Sequence, residues 1–139
     1  MWPTALIEKL RKEHHTSDPF ELCEILNIIV TPWNLTNDTN GFYKYIRRNR
    51  FIFYNSNLSD YQIKYVVAHE LGHALLHTRI NATFTKSIHW SNLSKIELEA
   101  HQFAVSLILS EIDLTRFKTK REICVFTGIP FEMERFIKI

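Results

Sequence analysis

Between Ile63 and Leu76 the chain is apolar on almost every side that a helix would present, and His69, Glu70 and His73 stand in the middle of it. Ile63, Val66, Val67, Leu71, Ala74 and Leu75 recur at spacings of three and four, and Ser59 or Asp60 supplies an N-terminal cap. Such a helix belongs inside a core. Two histidines and a glutamate placed there cost free energy unless each finds a partner. The rest of the chain must therefore wrap this helix and supply something for those side chains. Gly72 adds a second constraint: glycine in a helix interior costs about 1 kcal/mol relative to alanine, so a close neighbour is expected, such as a strand or a substrate path.

The polar residues read H-E-L-G-H over residues 69–73. Positions i and i+4 share one helical face about 6 Å apart along the axis, so His69 and His73 can aim ring nitrogens at one Zn²⁺, at about 2.0 to 2.1 Å. Glu70 flanks the same position. From there it can take a proton from a metal-activated water and pass it to a leaving amine, the division of labour of a metallopeptidase.

A catalytic zinc takes a third protein ligand and keeps one position open. His77 is excluded, because it lies about 12 Å along the axis from His69. His89 sits in a loop with no helix to fix its direction, and Leu76 and Arg79 stand where a metzincin would show glycine and histidine. Glu97 and Glu99 fall on a second helix but point about 200° apart. Glu97 shares its face with Ala100, His101 and Ala104, whereas Glu99 lines up with Gln102 and Ser106, so Glu97 is the preferred ligand. His101 then falls where it can hydrogen-bond a ligand or an attacked carbonyl. An oxyanion donor is also required, and His89, His101 and Tyr65 are the candidates that this reasoning leaves open.

Around these two helices the expected order is two short helices over about 4–14 and 19–27, a β-branched strand at 28–31, and a hairpin of 42–46 with 50–54. A loop over about 80–92 precedes the second long helix, which a Ser94–Glu97 capping box opens. A short helix from 121 stops at Gly128, and a last helix begins at Pro130. The expected class is α+β: a small three-stranded antiparallel sheet packed on the H-E-x-x-H helix and the Glu97 helix, with short terminal helices. The strand at 50–54 is expected as an exposed edge that an extended substrate could join. One domain is expected over 1–139, with a small helical element over about 116–139.

Composition narrows the class further. With 45% hydrophobic and 23% charged residues the chain can build a core. No run approaches the roughly 20 apolar residues that span a bilayer, and the amphipathic start is not a signal sequence, so a cytoplasmic protein without membrane partners is expected. Cys23 and Cys124 sit among apolar neighbours and are expected as buried reduced thiols. A net charge of +2 does not announce a nucleic-acid binder. The basic clusters Lys44, Arg47, Arg48, Arg50 and Arg116, Lys118, Lys120, Arg121 read as solvated surface.

Three stretches together resemble the ImmA/IrrE family of small metallopeptidases: F-I-F-Y-N-S-N-L-S at 51–59, V-V-A-H-E-L-G-H-A-L-L-H at 66–77, and E-L-E-A-H-Q-F-A-V-S-L-I-L-S at 97–110. The resemblance implies a gluzincin-like site holding one Zn²⁺ through His69, His73 and Glu97, with Glu70 as general base. It implies a phage or mobile-element protein that cleaves a helix-turn-helix repressor. His101 departs from the family pattern, standing where asparagine is usual, and Ser110 and Glu111 replace the usual proline. Two rival functions are a zinc-containing module that sequesters a repressor without cutting it, and direct nucleic-acid binding through the basic clusters.

Overall fold

The computed structural model describes residues 2–36, 38–85, 90 and 92–139. Helix α1 (Thr4–His14) buries Ile7 and Leu10, and α2 (Pro19–Ile25) starts where the Asp18 side chain accepts the Phe20 amide proton ahead of the proline. Strand β1 (Ile29–Trp33) leads to the hairpin of β2 (Thr39–Ile46) and β3 (Asn49–Asn55). Helix α3 (Asp60–Leu76) opens on a complete capping box: Ser59 accepts from the Gln62 amide, and the Gln62 side chain accepts from the Ser59 amide. Then come β4 (Ala82–Thr85), α4 (Lys95–Leu109), a 3₁₀ turn at Leu114–Arg116, α5 (Lys120–Thr127) and a 3₁₀ helix at Phe131–Phe136.

The α+β class holds, but the sheet differs from expectation. Among the described residues it has four strands in the order β1-β3-β2-β4, with β1 parallel to β3 and the other pairs antiparallel. Two physical causes account for this. β4 is only four residues long, too short for its alternation to stand out from the loop expected at 80–92. The parallel pairing of Ile29–Trp33 with Phe51–Asn55 is a non-local contact that no local pattern encodes. One consequence is a correction: the strand at 50–54 lies between β1 and β2, so it is interior, and β1 and β4 are the edges. A second correction concerns the last helix expected from Pro130. It is a six-residue 3₁₀ segment that buries Met133 against the core.

Tyr43 and Ile52 face inward from the hairpin and are fully buried, and α3 lies across that face. Helix α4 packs along the other side of α3, so ten consecutive α3 residues, Tyr65 to Ala74, are buried. The neighbour that Gly72 implies is this helix: a Cβ on Gly72 would stand 3.2 Å from the Ala100 Cα and 3.3 Å from its carbonyl oxygen. Cys23 and Cys124 are buried and unpaired. Among the described residues no helix is long and apolar enough to cross a membrane.

Candidate metal centre

His69, Glu70 and His73 lie in the middle of α3 with no exposed surface, as the apolar flanks require. Ser94 caps α4 by accepting from the Glu97 amide, but the expected return arm of a capping box is not made. Glu97 turns its carboxylate to α3 instead, with Oε1 3.1 Å from His69 Nε2 and Oε2 3.0 Å from His73 Nε2. The close approach at Gly72 makes this reach feasible, because Ala100 lies one helical turn after Glu97.

The electrostatics follow from burial and proximity. Burial lowers the His69 pKa to about 4, with a hydrogen bond to Glu97 opposing. Burial pushes Glu97 upward, but the adjacent His69 and His73 imidazoles outweigh it and hold the carboxylate well below its usual range. Glu70 moves the other way, raised well above an ordinary glutamate by burial and then by the Glu97 charge. Neither Glu70 oxygen has a hydrogen-bond partner among the described residues.

Behind His73 lies a relay that residue-by-residue elimination from sequence missed. Glu99 Oε1 is 2.9 Å from His77 Nε2, and His77 Nδ1 is 3.0 Å from His73 Nδ1. A carboxylate oxygen accepts, so a neutral His77 bonded to Glu99 carries its proton on Nε2 and offers a lone pair at Nδ1. His73 then donates from Nδ1, and its Nε2 presents a lone pair to Glu97. That nitrogen is buried without a hydrogen bond although the carboxylate is 3.0 Å away. Two acceptors held this close need a cation between them, and the donor set of two imidazoles and a carboxylate suits a metal ion. The detectable signal was the i, i+4 spacing of His73 and His77, which makes them neighbours even though one metal cannot use both with His69.

His101, fully buried on α4, packs its ring 4.1 Å from that of His69. Tyr65 Oη meets His101 Nδ1 at 2.7 Å. Phe84 of β4 packs on His69 at 4.7 Å and on His101 at 5.3 Å, and Trp90 lies 5.1 Å from His101. His89, the third oxyanion candidate, lies outside the described residues. A cavity of about 260 Å³ opens beside this cluster, lined by Tyr65, Val66, Phe84, Trp90 and Pro130 among others. A larger one, about 370 Å³, lies between α1, α4 and the C-terminal segment, and none of His69, Glu70, His73 or Glu97 lines it.

Comparison with known proteins points to a metallopeptidase. A model of peptidase family M78, described as the IrrE N-terminal-like domain, matches residues 23–133. The chain belongs to the ImmA/IrrE family of metallopeptidases. Relatives within that family include an uncharacterized immunity region protein 2 of Bacillus phage phi105, 42% identical over 133 residues that cover 93% of this chain and 84% of the phage protein. Metallopeptidase ImmA of Bacillus subtilis (strain 168) is 37% identical over 111 residues, 78% of this chain. The match spans 61% of ImmA, less than two thirds of its length. The family match begins at Cys23 in α2 and ends at Met133, so it takes in the sheet and both site helices.

Proposed function

We propose that this family member is a zinc-dependent endopeptidase that cleaves a helix-turn-helix repressor or a similar regulatory protein. The observation that carries the reading is the meeting of Glu97 with both His69 Nε2 and His73 Nε2 beside a buried, unpartnered Glu70. His69, His73 and Glu97 hold the ion, and the Glu99–His77 relay keeps the His73 lone pair aimed at it. When bound, the zinc supplies a Lewis acid and lowers the pKa of water at the centre toward 7.

Glu70 is placed for proton transfer, buried beside the ligand set with its pKa raised out of the ordinary carboxylate range. It accepts a proton from the attacking water and returns it to the leaving amine. Strand β4 is the sheet edge whose Phe84 touches His69, so an extended substrate pairs there rather than at 50–54. The neighbouring cavity lined by Val66, Phe84 and Trp90 takes an apolar substrate side chain. A regulatory substrate is supported by similarity to a phage immunity region protein.

The test combines metal analysis with cleavage of a candidate helix-turn-helix repressor. Glu70→Gln is expected to retain one zinc and lose cleavage. Undiminished cutting by that variant sinks the mechanism, and derepression by it in cells without cutting supports sequestration instead.

A further inference from the structure

Tyr65 is 2% exposed, and a buried phenol proton needs an acceptor. Among the described residues its hydroxyl meets one partner, His101 Nδ1 at 2.7 Å. A neutral imidazole that accepts at Nδ1 carries its proton at Nε2. The His101 Nε2 is buried with no hydrogen-bond partner, one helical turn after Glu97 and with its ring against that of His69. His101 therefore brings to the centre an N–H with nothing to bond, where His73 brings a lone pair.

We propose that His101 Nε2–H is the donor to the substrate carbonyl oxygen that becomes negative during hydrolysis, and that Tyr65 is the positioning residue that fixes its proton. The proposal rests on the metal-centre reading of His69, His73 and Glu97. It separates the candidates left open by sequence, because the Tyr65 proton is already committed to His101. It also assigns the grouping of His69, Glu97 and His101, whose ligand atoms lie within 4.8 Å of one another, to one reaction centre rather than a second metal site, since a protonated nitrogen does not ligate. Phe84 and Trp90 flank the ring and hold it in place.

Long-range ¹H–¹⁵N spectra of the imidazole rings, recorded with and without zinc, test the tautomer. Zinc should shift the His69 and His73 Nε2 resonances, while His101 Nε2 keeps the shift of a protonated ring nitrogen. Tyr65→Phe should let that proton redistribute toward Nδ1. In cleavage of the same candidate helix-turn-helix repressor, His101→Leu should lose about 10²- to 10³-fold in kcat with zinc content and KM little changed, as for removal of one oxyanion donor. His101→Asn keeps a donor and should stay within about tenfold of the parent. An unprotonated, zinc-shifted His101 Nε2, or full activity of His101→Leu, overturns the proposal and leaves the ligand set standing. Absence of zinc shifts at His69 and His73 overturns the reading beneath it.

Discussion

Gly72 of α3 and Ala100 of α4 pack backbone against backbone, so that a methyl group added at Gly72 would meet the Ala100 Cα at 3.2 Å and the Phe103 ring at 3.1 Å. Alanine would gain about 1 kcal/mol of helix propensity and lose about 1 to 3 kcal/mol to overpacking. Gly72→Ala should therefore cost about 0 to 2 kcal/mol of stability while moving α4, and with it Glu97. We expect zinc affinity to fall about tenfold, equivalent to about 1.4 kcal/mol, in competition with a chelator. Unchanged affinity would mean that the helix spacing does not set the reach of Glu97.

The relay behind His73 predicts a graded series. His77→Phe removes the acceptor for His73 Nδ1, and Glu99→Gln weakens the hold on His77. Loss of such a supporting partner commonly costs about 10- to 100-fold in metal affinity. His77→Phe should show this loss, Glu99→Gln a smaller one, and Glu97→Ala a larger one than either. Equal affinities for His77→Phe and the parent would mean that the His77 contact does not orient His73.

Metal-free protein should be acid-labile in a way that Glu70 masks. His69 and His101 have folded pKa values below their unfolded 6.5, so unfolding takes up protons as pH falls below about 6.5, and stability falls with pH. Glu70 has a folded pKa above its unfolded 4.5, so it holds a proton that the unfolded chain releases, and its contribution rises as pH falls through the folded value. Glu70→Gln removes the opposing group and should steepen that fall in urea unfolding of chelator-treated protein between pH 6.5 and 5. A slope no steeper than the parent's would contradict the assignment.

Zinc should also act as a folding ligand. At a free concentration 100 times Kd it adds about 2.7 kcal/mol, so the unfolding temperature should rise with zinc and fall on chelation. In Glu97→Ala that response should shrink markedly, whereas Glu70→Gln should keep it. Identical responses in both variants would place the ion elsewhere.

Much of this was legible because α3 and α4 are long, largely apolar helices with polar caps at Ser59 and Ser94, and because one helical face selects Glu97 over Glu99. The hairpin was legible from its alternation even though its turn residues, Arg47 and Arg48, both adopt positive φ (50° and 67°) without the usual Asn-Gly signal. What escaped notice was non-local or cooperative. The pairing of β1 with β3 depends on chain return, and β4 gains its identity from β2 rather than from its own four residues. His77 and Glu99 were each set aside singly, although together they complete the support of His73.

Trp90 has its ring centroid 5.1 Å from that of His101 and 6.2 Å from that of Phe84, beside the reaction centre, whereas Trp2 and Trp33 are 41% and 53% exposed. The protein therefore carries its own optical gauge. A coloured divalent ion such as Co²⁺ seated on His69, His73 and Glu97 would drain the emission of Trp90 before that of the two solvent-bathed indoles. Loading of each molecule, and the arrival of a peptide against β4, could then be watched in real time without attaching a dye.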